Sequence, residues 1–317
     1  MQALIPKSDA NTQLSVVESI TRSYILESLS ESTRKSYASN FRVFFEWCQS
    51  QGLSALPSSP EVVAMFLAAQ ASAGVKVSTV SHRIVTINYA HKSAGLESPT
   101  SHKIVRDTLK GISRLHGTAR NKKTPATANY ITSMVSRCPK TLAGLRDKAL
   151  LLLGFSGAFR RSELVALNVE DLEDVEEGYR VHIRRSKTDQ TGEGYTIAIV
   201  NGQNLKVVKE VKVWLKGAGI TTGAVFRPIT KNGIIKPVAL SDRSVANIVK
   251  YYAKLAGLDP ELFSGHSLRS GYLTSAAESG ASILKMMEVS RHKKIDQLLG
   301  YVRSAELFKD HSGKGFL

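Results

Sequence analysis

The 317-residue sequence predicts a mainly helical protein of two domains, the second an α+β domain with one small antiparallel sheet. Three observations lead there. Apolar residues recur at helical spacing between about 15 and 115, the stretch 116–126 loses that period, and beyond it a single pair of alternating segments interrupts further helical patterns. A chain of this length has room for two cores of ordinary size. Hydrophobic residues, 42% of the whole, are enough to fill them.

Residues 1–14 are polar and read as a flexible tail. Val16, Ile20 and Tyr24 open a first helical pattern. "SESTRKSYASNFRVFFEWCQSQG" then sets Tyr37, Phe41, Phe44, Phe45 and Cys48 along one stripe that ends near Gly52, and these side chains are expected in a core. Helices follow near 60–73, 78–93 and 100–115, each opened by Ser, Thr or Pro. "LHGTARNKKTPATA" is rich in Lys, Arg, Thr and Pro, which makes 116–126 a basic linker between a helical domain at 15–115 and a second domain at 127–317.

In the second domain, helices are expected at about 127–137, 142–155 and 159–167. The run "ALLLLGFSGAF" is too short to span a membrane and reads as a buried helix. Tyr179, Val181 and Ile183 alternate on one strand, and Tyr195, Ile197 and Ile199 on the next, with a polar, Gly-bearing turn between them: a hairpin. Helices resume at about 203–217, 241–256, 267–279, 282–290 and 294–302.

Lys and Arg number 43 against 27 Asp and Glu, a net charge of +16, which points to a polyanionic partner. Residues 31–123 alone carry 13 basic and five acidic side chains, so the helical module suits a nucleic-acid backbone. "MQALIPKSDA" has no signal-peptide pattern. Cys48 and Cys138 are far apart and form no disulfide framework or metal motif. A reducing, cytoplasmic and nucleoid-associated setting is expected, with no membrane and no cofactor.

Four short stretches carry candidate chemistry. "SGHSLRSG" sets His266 and Arg269 three apart, on one helix face and about 5–6 Å apart at Cβ, a spacing that suits a phosphate. "GAFRRSELVAL" places Arg160 at a helix start with Glu163 one turn on. "RRSKTDQTGEG" places Lys187 at the rim of the hairpin. "SRHKKIDQLLGYVR" supplies His292 and, nine residues later, Tyr301. Taken alone, Arg160 would be read as the partner of a surface salt bridge with Glu163.

Together, in this order and at these distances, the segments resemble the tyrosine recombinase (phage integrase) family. Residues 125–317 are similar to its catalytic domain and 15–115 to its helical, SAM-like core-binding domain. The resemblance implies that Arg160 and Arg269 hold the nonbridging oxygens of a scissile phosphate, for which a planar, forked, permanently charged guanidinium is suited. It makes His266 a donor or proton handler beside that phosphate. His292 takes a position where Trp can stand in relatives, and donates to a phosphoryl oxygen. Tyr301 becomes the nucleophile, its phenolate favoured by the guanidinium groups, and Lys187 the acid that protonates the leaving 5′ oxygen. Glu163 orients a basic neighbour.

Departures from the family's pattern are Ser270 after the second arginine, and Ser290 and Arg291 where relatives commonly have Leu-Gly before the second histidine. None removes a reacting group. The implied activity is cleavage and rejoining of double-stranded DNA through a 3′-phosphotyrosine, without metal or ATP, by a homotetramer on two DNA sites, with accessory DNA-binding proteins as possible partners. Leu307 and Phe308 are expected to anchor the C-terminal tail in a neighbouring subunit. Arg34, Lys35, Arg42 and Arg83 are assigned to DNA contact from exposed helix faces. A type IB topoisomerase-like enzyme and a non-catalytic DNA-binding regulator stand as alternative readings.

Overall fold

The structure, a computed structural model, describes residues 17, 19–21, 23–25, 27–119, 123–184, 189 and 192–305. The chain divides into two compact units, 1–121 and 122–317.

The first unit is helical. Described residues between 17 and 27 are helical, and α1 (Glu31–Ser50), α2 (Pro60–Ser72), α3 (Val77–Ser93) and α4 (Lys103–His116) follow. Starts are set by side chains: Ser30 and Ser59 each accept a hydrogen bond from a backbone N–H of the first turn, and Pro60 occupies a position with no hydrogen bond to lose. Phe44, Cys48, Phe66, Leu67, Val80 and Ile87 form the centre of the core. Of the expected aromatic stripe, Phe45 is a correction: it is exposed, because it lies about 100° round the helix from Phe44.

Arg83 is a second correction. Instead of standing on an exposed face it is half-buried, its guanidinium 5.9 Å from the centroid of Phe66, with Nε and Nη1 both buried. Burial pushes its pKa down. Arg42 is exposed, Lys35 pairs with Glu31, and Arg34 pairs with Glu27 at 2.9 Å.

The second unit is built round α6 (Leu142–Ser156). Leu150, Leu151, Leu152 and Leu153 are all buried, so this helix is covered on every side. Around it lie α5 (Ala128–Val135), α7 (Arg161–Ala166), α8 (Val207–Ala218), α9 (Asp242–Leu255) and α10 (His266–Glu278). The sheet has three antiparallel strands in the order β1 (Leu172–Val175), β2 (Gly178–Ile183), β3 (Tyr195–Val200). Tyr179 faces Ile199 and Val181 faces Ile197, so the alternating apolar residues of the two strands share one face. β1 was not anticipated: a four-residue strand with two acids, "LEDV", has too little apolar period to read.

The last residue of the expected linker already enters the core. Ala126 is buried, and its N–H bonds to the Ser267 carbonyl at 2.9 Å. Gly271 permits this: a Cβ there would lie 1.9 Å from the Ala126 carbonyl oxygen. The chain closes with α11 (Ile283–Ser290) and α12 (Asp296–Ala305), packed against α10 through Leu273, Ala277, Met286 and Leu298. No helix among the described residues is long and apolar enough to cross a membrane.

Candidate active site

The turn between α6 and α7 organises the site. Ala158 takes a positive φ of 44°, unusual for a residue with a Cβ. Its carbonyl accepts from two guanidinium groups that arrive from distant segments: Arg269 Nη1 at 2.7 Å and Arg291 Nη2 at 3.2 Å.

Two residues on, Arg160 caps α7. Glu163, in the first turn of that helix, reaches back to accept from the Arg160 backbone N–H at 2.9 Å and from Arg160 Nη1 at 2.6 Å. This is no surface salt bridge: Glu163 is 3% exposed. Its second oxygen also accepts from Arg291 Nη2 at 2.7 Å. Burial works against its ionisation, but Arg291 and then Arg160 outweigh that and hold the carboxyl below the usual range.

Arg269 projects from the first turn of α10 and is 2% exposed. Burial, then Arg160 and Arg291, push its pKa down to about 9, so it keeps its charge at neutral pH. His266 opens the same helix. Its side chain is exposed by area, yet desolvation of the ring, then Arg269, Arg160 and Arg161, lower its pKa. His292 follows α11. Its Nδ1 lies 2.8 Å from Ser290 Oγ, and both ring nitrogens lie 3.3 Å from Arg269 Nη2. Burial, then Arg269, Arg160, Arg291 and His266, push its pKa down to about 4. At pH 7 the His292 ring is therefore neutral, and the His266 ring is shifted toward its neutral form.

Tyr301 sits on α12, partly buried against the Leu273–Met286 cluster and close enough to Arg269 for the two charges to act on each other. Arg269 favours the phenolate, as expected, but burial outweighs it and the net shift is upward. In this protein the phenol is protonated at neutral pH. The rim of the hairpin, with Lys187, and the tail residues Leu307 and Phe308 lie outside the described residues.

The structure thus brings Arg160, Glu163, His266, Arg269, His292 and Tyr301 into one electrostatically coupled cluster. It adds three participants that the motifs did not supply: Ala158, Ser290 and Arg291. Arg291 takes φ 58°, a left-handed conformation that a glycine would adopt at no cost. That departure was the available signal. Its guanidinium compensates with the Glu163 ion pair, bonds to the Gly157, Ala158 and Val289 carbonyls, and a position 5.2 Å from the Phe159 ring centroid. Among the described residues, no three His, Cys, Asp or Glu side chains are grouped to hold a metal ion. Chemically, a cluster of three guanidinium groups and one buried carboxylate has excess positive charge and suits an anion with several oxygens.

Residues 126–307 match the model of the phage integrase family. An integrase/recombinase xerD homolog of Selenomonas ruminantium is 39% identical over 292 residues, 90% of this chain and 85% of that protein. The recombinase cre of Escherichia phage P1 is 24% identical over 300 residues, 88% of this chain and 86% of that one. In fold, the chain is similar to the XerH site-specific recombinase in a post-cleavage complex with palindromic difH (TM-score 0.63, 18% identity, 86% of this chain and 76% of that one). It is likewise similar to a lambda integrase bound as a dimer to a COC′ core site (TM-score 0.62, 16% identity, 92% and 76%). Fold and matched region together define an enzyme of the tyrosine recombinase class. Within it, the chain belongs to the phage integrase family.

Proposed function

We propose that this enzyme cleaves and rejoins double-stranded DNA at specific sites through a 3′-phosphotyrosine on Tyr301. The observation that carries the reading is the position of Tyr301 beside Arg269, in a cluster that also holds Arg160 and the His266 and His292 rings. Arg160 and Arg269 grip the nonbridging oxygens and stabilise the charge that builds on them during attack. The phenol oxygen displaces the 5′ oxygen of the next nucleotide and loses its proton, with His266, by family resemblance, the proton handler. Lys187, by family resemblance, returns a proton to the leaving 5′ oxygen. The phosphodiester energy stays in the protein–DNA bond, so a 5′ hydroxyl from another strand reverses the step without ATP or metal.

The basic helical unit at 15–115 is proposed as the core-binding domain, with Arg42 exposed toward a phosphate backbone and Arg34 and Lys35 reaching it by exchanging their Glu27 and Glu31 partners for phosphates; the half-buried Arg83 is a poorer candidate. A homotetramer on two sites, with accessory DNA-binding proteins, completes the proposed assembly. The test uses a nicked DNA substrate that traps the covalent step. Wild-type protein is expected to yield a protein–DNA adduct joined at Tyr301 and to the 3′ end of the cut strand. Adducts at another residue, or at the 5′ end, would refute the assignment.

A further inference from the structure

Ser290 and Arg291 stand where relatives commonly have Leu-Gly, and Ser290 has a task of its own. It is the last residue of α11 and is fully buried. Its Oγ lies 2.6 Å from the Met286 carbonyl, one turn back, and 2.8 Å from Nδ1 of His292. A hydroxyl has one hydrogen to give. A carbonyl oxygen at 2.6 Å without that hydrogen between them would set lone pair against lone pair, so the hydroxyl donates to Met286. Toward the ring it can then only accept. Nδ1 of His292 must carry a hydrogen.

Arg269 does not alter this count. Its Nη2 is 3.3 Å from both ring nitrogens. In the ring plane such a point would collide with Cε1–H, which lies between them, so the guanidinium lies over the face of the imidazole. The groups acting on this ring are the charged Arg269 from α10, Arg160 at the start of α7 and Arg291 from its own turn, and the titratable His266. Glu163, the carboxylate in this cluster, is already engaged by Arg160 and Arg291. A second hydrogen on the ring would place another cation among three. The ring is neutral, and its single hydrogen is on Nδ1.

We propose that Ser290 is a positioning residue that holds His292 in the Nδ1–H tautomer, so that the ring presents a bare acceptor, Nε2, to the anion site. This rests on the phosphate reading above and sharpens it. A phosphoryl oxygen brings no hydrogen to share, so Nε2 must take up one proton from solvent before it can hold that oxygen, leaving an imidazolium tethered through Nδ1 to Ser290. An indole at the same position would be a donor from the outset.

The test is made on the full chain without DNA, labelled with ¹⁵N-histidine, with the His292 ring assigned by its loss in His292→Gln. At pH 7 the expected spectrum shows hydrogen on Nδ1 and none on Nε2. Hydrogen on Nε2 alone, or on both nitrogens, overturns the proposal. Ser290→Ala is expected to move the hydrogen to Nε2 wholly or in part, and Ser290→Thr to keep it on Nδ1. An unchanged tautomer in Ser290→Ala would reduce Ser290 to packing and overturn its role. Should that variant fail to fold, the wild-type spectrum still decides. Because no DNA is present, this result stands apart from adduct formation at Tyr301, so the two readings fail separately.

Discussion

Arg291 Nη2 and Glu163 Oε2 lie 2.7 Å apart across 128 residues of sequence, both side chains almost wholly buried. The pair joins the turn after α11 to the start of α7. Glu163 is thereby held from two sides, and Arg160 is fixed from below by a carboxylate that cannot swing away. The left-handed backbone at Arg291 costs roughly 1–2 kcal/mol. Removing one member of a buried ion pair costs about 3–5 kcal/mol. The ion pair outweighs the backbone strain, which explains how a residue with a Cβ persists at φ 58°.

Arg291→Gly should therefore destabilise the second unit by about 1–4 kcal/mol even though it relieves the backbone. The chain has two tryptophans, and Trp214 is buried in the second unit with Nε1 donating to Val225. Urea unfolding read from Trp214, in a Trp47→Phe background, measures the change. A stabilised variant would show that the ion pair contributes nothing.

Glu163 predicts a pH dependence of known sign. Its folded pKa is depressed, so the stability it contributes is complete above its ordinary value of 4.5 and is lost as pH falls through the lower folded value. Glu163→Gln should cost about 3–5 kcal/mol at pH 7, and the gap to wild type should narrow as pH falls below 4.5. Denaturation curves at pH 7, 5 and 3.5 check this.

His292 should titrate with a midpoint of about 4, against about 6.5 for an exposed histidine. Its folded pKa lies below the unfolded one, so stability rises with pH through that window and is complete above about 6.5. NMR titration of the ring gives the midpoint, and His292→Gln should flatten that part of the stability profile.

Tyr301→Phe should retain DNA binding and form no covalent adduct, because only the attacking oxygen is removed. Gel-shift and denaturing-gel assays on the same nicked substrate separate the two. Adducts at wild-type yield would move the nucleophile elsewhere.

Binding should also weaken steeply with salt. A protein that neutralises six to ten phosphates loses about 10³–10⁵ in affinity between roughly 50 and 200 mM salt. A charge of +16 makes that regime the expected one. Affinity measured across the range gives the slope, and a flat response would remove the electrostatic case for DNA.

Much of the fold was legible because periodicity is a local property. α2 and α3 begin and end within a residue of where apolar spacing and caps place them, α1 ends two residues before Gly52, and the faces of β2 and β3 follow the alternation. β1 escaped because four residues, two of them acidic, carry no readable period. Phe45 and Arg83 escaped because one residue of helical rotation separates core from surface, and sequence does not say how wide the buried stripe is.

Residue identity by itself determined which groups are able to do the chemistry: guanidinium groups for a phosphate, a phenol for attack, imidazoles that titrate near neutrality. Only the tertiary structure decided their state. Burial outweighs Arg269 at Tyr301, Ala158 gathers two arginines on one carbonyl, and Ser290 dictates where His292 keeps its hydrogen. Charge state and tautomer depend on dielectric surroundings and on partners a hundred residues away, and those exist only once the chain has closed round them.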